Sequence, residues 1–294
     1  MGRGSGFGKV ILFGEHFVNY GTPGIVSAVD LTTDAEVVRV PGQSLTLRDD
    51  RHGTPGYVES KRDQQRESLS RIFEAIGLND VGAGLVPAQS EEVEIHLGGS
   101  LPVYSGIGAS AASCVAIIRA LSGEFGLDLN DEKVNAAAYE GEKAYHGPTH
   151  AGLDNTAATY GGVLWFFKGP PPHHEPVQIA APFEVVVANT GIVANTHEMI
   201  AGVARRRTAE PDRYARIIQE AHTVANGARA ALENGDFAAL GRLMNQNHTL
   251  LQEIKVTHPT QEHLVELARA AGALGAKSTG AGGGGCIVAL APGA

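Results

Sequence analysis

Apolar and polar positions switch repeatedly between a two-residue and a 3.6-residue period along the chain. KVILF (9–13), rich in β-branched and aromatic residues and flanked by glycine, predicts a strand. GIVSAVDL (24–31) and its continuation DAEVVRV (34–40) predict further strand. The polar stretch RDDRHGTPGYVESKRDQQRES (48–68) opens as a loop at its Pro and Gly and then turns helical, running on through LSRIFEAIG (69–77). VEIHLGG (93–99) alternates as a half-buried strand does. In LPVYSGIGASAASCVAIIRALSGEFG (101–126) a turn leads directly into a helix, where Cys114, Ile117, Ile118 and Leu121 fall at i, i+3, i+4 and i+7 and Ser110 lies near the N-terminus.

A helix over about 131–145 follows from Asn130 as its cap, acids in its first turn, and Gly147 as its stop, with Glu142 in its last turn. GGVLWFF (161–167) and FEVVVANTGI (183–192) read as strands, and the Pro/His-rich KGPPPHHEP (168–176) between them reads as a surface loop near a domain boundary. From 211 to about 251 the pattern is helical, interrupted at ENGD (233–236). A last helix, HLVELARAAGALG (263–275), precedes a Gly-rich turn and the strand CIVAL (286–290). Strands alternating with helices give an α+β or α/β architecture of two lobes.

The length of 294 residues fits two domains of about 150 residues each, or one large one. A 43% hydrophobic and 19% charged composition argues against wholesale disorder. Lys and Arg total 23 against 32 Asp and Glu, and the resulting charge of −9 disfavours a nucleic-acid partner. Cys114 and Cys286, both in apolar stretches, are too few for a disulfide framework or a thiolate zinc site, which places the chain in a reducing compartment. No apolar run reaches the 18 or more residues of a spanning helix, and the N-terminus lacks a cleavage pattern; the expectation is a cytoplasmic protein without a membrane partner.

Glycine is the outlier, 38 residues or about twice the usual 7%. Much of it clusters at 2–24, 98–108 and 280–285. SGIGASAAS (105–113) could be a tight connection and nothing more. It could equally bring backbone N–H groups and a helix N-terminus to an anion, with phosphate as the natural guest. Two other phosphate motifs fail on spelling. Ala276 precedes Lys277 and Ser278 where a P-loop needs Gly, and GAGGGG (280–285) is followed by a strand where a dinucleotide fold needs a helix. His197-Glu198 lacks the second His of a zincin, and the twelve His show no ligand-like spacing.

Read together, the three clusters resemble the GHMP kinase superfamily and, within it, the mevalonate kinases. KVILFGEHFVNYG (9–21) looks like the first motif of that family. PVYSGIGASAA (102–112) resembles its phosphate-binding P-x-x-x-G-L-G-S-S-A, with Ile107 and Ala109 as departures, and KSTGAGGGG (277–285) resembles its third motif. The stretch 142–155 resembles the one that brings a metal-binding Glu and a catalytic Asp together, and YVESKRDQQRES (57–68) looks closest to a trypanosomatid-like branch. Here HGPTHAGLDN (146–155) is one residue longer than H-G-[TN]-P-S-G-[VI]-D-N, with its Ser replaced and its Pro displaced, and the chain stops soon after CIVAL where relatives continue.

The resemblance implies an α+β, two-lobed fold: an N-terminal ATP-binding lobe (1–180) like domain 2 of ribosomal protein S5, and a ferredoxin-like, possibly shortened C-terminal lobe (181–294), with the site in the cleft between them. It implies ATP- and Mg²⁺-dependent phosphorylation of the C5 hydroxyl of (R)-mevalonate, with a homodimer as the assembly kept open. The alternatives are a GHMP kinase for another mevalonate hydroxyl or a sugar, and a catalytically silent sensor. Pro102, Ser105, Gly106, Ile107, Gly108, Ala109, Ser110 and Ala111 would hold the nucleotide phosphates, and Ser110 and Glu142 would hold Mg²⁺. Asp154 would take the proton of the attacking hydroxyl, as base or orienting charge, with Lys9 beside it drawing the phosphoryl group. Glu15, His16, Thr196, Gly280, Ala281 and Gly282 would contact the acceptor.

Each residue also has a plainer reading: Asp154 as a turn residue or cap, Glu142 as a surface acid, His16 as a satisfied interior histidine, and Thr196 as the cap of the helix THEMIAGVARRR (196–207). Lys9 opens a buried-looking strand, where a lysine is costly unless paired.

Overall fold

The computed structural model describes residues 1–40, 45–53, 55–78, 92–103, 106–148, 150–169 and 172–292. The chain divides into two compact units, one built from Met1–Gly8, Ala28–Val103 and Gly108–Gly161, the other from Lys9–Ser27, Tyr104–Ile107 and Gly162–Ala294. The strands β1 (Gly2–Phe13) and β2 (Gly24–Val40) run through both units. The strand read at 24–31 and its continuation at 34–40 form one 17-residue strand, which no glycine or proline interrupts after Gly24.

In the first unit, β2 pairs antiparallel with β4 (Glu92–Gly99), from Thr33 opposite Gly99 to Val40 opposite Glu92, and β3 (Thr46–Asp49) lies parallel to β4. Helices α1 (Tyr57–Ser60), α2 (Arg62–Ala75), α3 (Ala109–Phe125), α4 (Asp131–His146) and α5 (Leu153–Tyr160) complete it. Val37, Ile95 and Leu97 from the sheet share one core with Ile72 and Phe73 of α2 and with Val115, Ile118 and Leu121 of α3. Asn130 caps α4 as predicted, accepting from Lys133 N–H at 3.0 Å. The first residues of β1 lie directly on α3: a Cβ on Gly4 would collide with Ala116 O, and one on Gly6 with Ala112 O.

The second unit holds β5 (Val163–Phe167), which pairs with residues 24–27 of β2 and with β6 (His173–Pro176). The expected surface loop therefore ends in a strand, because HHEP sits at an edge where proline costs no ladder bond; Pro170 and Pro171 lie outside the described residues. β7 (Val185–Asn189), β9 (Cys286–Leu290) and β8 (Gly275–Thr279) form an antiparallel sheet with β9 in the middle. Helices α6 (Thr196–Ala209), α7 (Pro211–Asn234), α8 (Phe237–Glu253) and α9 (Pro259–Ala270) follow β7 in the chain. Val265 of α9 packs on Ala276, Ile287 and Ala289. Among the described residues no helix is long and apolar enough to cross a membrane.

Candidate active site

In the first unit the glycine turn delivers the chain to α3 through Gly108 in the left-handed region (φ 75°), and Gly108, at the cap position, has no side chain to bond the first N–H groups. The early N–H groups of Ala109, Ser110 and Ala111 are thus available to an anion. Ser113 does not compete for them, since its hydroxyl donates to Ala109 O at 2.7 Å. Pro102 precedes Val103, whose N–H donates to His52 O at 2.7 Å. Ser105 lies outside the described residues. Ser110 borders a cavity shared with Arg51, Lys61, Gln65 and Tyr145. Its wall is held by a bidentate pair, Arg51 Nε and Nη2 to the Asp49 carboxylate at 2.8 and 2.7 Å. Burial pulls the Lys61 ammonium below its ordinary pKa.

Glu142 is not a surface acid. Its side chain is 0% exposed, Oε2 lies 3.3 Å from His146 Nε2, and neither oxygen accepts a hydrogen bond among the described residues. Asp154 occupies the first turn of α5, a helix and not the turn or cap of its plainer reading. One ligand atom from each of Glu142, His146 and Asp154 lies within 4.8 Å of the others. A buried carboxylate that accepts no hydrogen bond among the described residues is costly, and a cation would offset that cost. Carboxylate oxygens in this arrangement suit a hard divalent ion such as Mg²⁺. The carboxylate is felt by Cys114, whose thiol is pushed up first by burial and then by the Glu142 charge. His146 was hidden from a search for His pairs; the signal was the i, i+4 spacing of Glu142 and His146 on one helix.

In the second unit the first and third glycine clusters meet. Lys9 is buried on β1, and its N–H donates to Ile107 O at 2.9 Å. Gly106 has φ 105°, and a Cβ there would press on Cys286, whose own thiol burial pushes up to about 12. Thr279 Oγ donates to Ile11 O at 2.9 Å and accepts from Ile11 N–H at 3.0 Å, so β8 is tied to β1. Beyond it, Gly280, Ala281 and Gly282 wrap past His16. The His16 Nε2–H donates to Ala281 O at 2.8 Å, which fixes the tautomer, and Nδ1 is buried without a hydrogen-bond partner among the described residues. Burial, with the Arg206 charge adding to it, keeps the ring below its ordinary pKa despite the Ala281 carbonyl.

Glu15 is engaged on both oxygens. Lys277 Nζ pairs with one, and Asn247 Nδ2 donates to the other at 3.0 Å. The same ammonium donates to Ser278 O at 2.8 Å. Neither Lys277, which heads the third motif, nor Asn247 was among the site residues read from the sequence. Thr196 opens α6, but Asn195 is the cap, accepting from Glu198 N–H at 3.2 Å.

Residues 69–162 match the family described as GHMP kinases N terminal domain, and residues 228–294 match GHMP kinases C terminal. The chain is 36% identical to the mevalonate kinase of Thermococcus gammatolerans, covering 97% of this chain and 87% of the relative, and the figures are the same for that of Pyrococcus furiosus. Among solved structures, Leishmania major mevalonate kinase in complex with R-mevalonate superposes with a TM-score of 0.89 at 38% identity, covering 100% of this chain and 88% of that one. Lactococcus lactis galactokinase complexed with galactose shares the fold at a TM-score of 0.74 and 19% identity, covering 98% and 85%.

Proposed function

Because the chain belongs to the GHMP kinase family, we propose that it transfers the γ-phosphoryl group of ATP to the C5 hydroxyl of (R)-mevalonate, giving 5-phosphomevalonate and ADP. Identity of 36–38% to mevalonate kinases over nearly the whole chain supports the acceptor. The structural observation that carries the phosphoryl-transfer reading is the buried Glu142 carboxylate, which accepts no hydrogen bond among the described residues and is gathered with Asp154 in the unit that also holds the 108–113 turn.

In this reading the N–H groups at the start of α3 bind phosphate oxygens, and Ser110 and Glu142 hold Mg²⁺. Such an ion would supply positive charge against the negative charge of the nucleotide phosphates. Asp154 accepts the proton of the C5 hydroxyl as its oxygen bonds to the γ-phosphorus and the bond to the β-phosphate oxygen breaks. Lys9 attracts the phosphoryl group in transfer. His16, neutral and with an open Nδ1, offers the acceptor a hydrogen-bond acceptor and not a cation. Glu15, locked to Lys277 and Asn247, shapes the acceptor's surroundings and does not bind it with a free carboxylate oxygen.

ADP release with (R)-mevalonate against a blank, with the product identified by phosphorus NMR, tests reaction and acceptor together. Turnover with a sugar or at the C3 hydroxyl would replace the acceptor, and nucleotide binding without turnover on any acceptor would make the chain a silent member of the fold.

A further inference from the structure

His150 stands in the connection between α4 and α5. His150 is 8% exposed. Its ring stacks on Tyr139 with centroids 4.1 Å apart and planes at 24°, and its Nε2–H donates to Tyr139 O at 3.0 Å. Tyr139 returns a bond from its hydroxyl to His150 O at 3.4 Å, and the Lys143 ammonium lies 5.2 Å from the centroid of the same Tyr139 ring. Tyr139, Glu142 and His146 fall at i, i+3 and i+7, one face of α4. Gly152, at φ 81°, passes so near that a Cβ would stand 3.1 Å from the Tyr139 ring, and α5 begins at the next residue. One further tie, Asn155 Nδ2 donating to Asn135 Oδ1 at 2.6 Å, holds the start of α5 to α4.

We propose that His150 is a positioning residue for phosphoryl transfer: by fastening the connection between α4 and α5 to Tyr139, it holds Asp154 at the separation from Glu142 that metal binding and proton acceptance require. The proposal rests on the roles given above to Asp154 and Glu142. A connection with glycine at both ends has many conformations open to it, and only those that keep Asp154 beside Glu142 are productive. The His150 ring supplies both ties, the stack on Tyr139 and the bond to the carbonyl one helix turn back from Glu142. Misplacing a reacting group by about 1 Å can cost on the order of 100-fold in rate, so a fastener remote from the chemistry has leverage.

The test compares wild type, H150A and H150Q by steady-state kinetics, by Mn²⁺ binding followed through the EPR signal of free Mn²⁺, and by thermal melting. H150A is expected to lower kcat about tenfold or more and to weaken Mn²⁺ about fivefold, leaving KM for ATP within about twofold because the α3 turn is untouched. H150Q, whose amide N–H can reach Tyr139 O, should recover part of both losses. Wild-type kcat and Mn²⁺ affinity in H150A would overturn the proposal, as would losses that vanish well below the melting transition or that Gln does not relieve. If wild type phosphorylates nothing, the kinase reading fails separately, and the Mn²⁺ comparison still decides: equal affinities in wild type and H150A count against His150.

Discussion

Lys277 and Glu15 form an ion pair in which both side chains are fully buried, joining the third glycine-rich segment to the first. Removing one partner strands the other charge in a low-dielectric interior. Lys277→Met is therefore expected to cost about 3–5 kcal/mol of stability, and the double variant Glu15→Gln/Lys277→Met to recover most of it. Urea unfolding of the single and double variants checks this; a single variant as stable as wild type would mean the pair is not needed.

Asp154→Asn should lower kcat by about 10²–10⁴-fold, the usual range for a lost general base, while the melting temperature stays close to that of wild type. Turnover near the wild-type rate would remove Asp154 from the chemistry.

Glu142→Gln should abolish the rise in melting temperature that Mg²⁺ gives the wild type, and without metal it should melt no lower than wild type, because an unsatisfied buried carboxylate is a burden to the fold. A thermal-shift titration reads both; an unchanged metal response places the ion elsewhere.

Gly4→Val should unfold the first unit's packing of β1 on α3, since a Cβ there meets the Ala116 carbonyl with no flexible atom to yield. The expected loss is at least about 3 kcal/mol, at the upper end for overpacking. A crystal structure of a stable Gly4→Val protein with β1 in place would contradict it.

Stability should fall as the medium is acidified. Burial depresses the pKa of both His16 and His248 below 6.5, so the folded chain binds fewer protons than the unfolded one in the window below that value. Their contribution is complete above about pH 6.5 and is lost as pH drops through the depressed folded values. Urea midpoints from pH 7.5 down to 5 should show the decline, and His16→Asn should flatten it.

Helices α3 and α4 were legible because both local and global signals agree: a cap at Asn130, a stop at Gly147, and an apolar stripe through Cys114, Ile118 and Leu121. The strand β8 was not, since GAKST is short and places a lysine and hydroxyls in the interior, where Glu15 pairs with the Lys277 ammonium and Ile11 O accepts from the Thr279 hydroxyl. The helix α5 spans two turns of LDNTAATY without an apolar repeat, so Asp154 looked like a turn residue. The first and third glycine clusters stood apart in the sequence, and the fold brings them together at His16 and Ala281. What holds the site's segments, Lys277 behind Glu15 and Tyr139 beneath His150, depends on contacts between distant positions that no spacing encodes.

The two native sulfhydryls are both buried, and burial raises the pKa of each. Maleimides and iodoacetamides, which attack ionised sulfur, should thus pass the folded molecule by. A spectroscopic tag could be installed at one new surface cysteine, with the rest of the sequence left as it is.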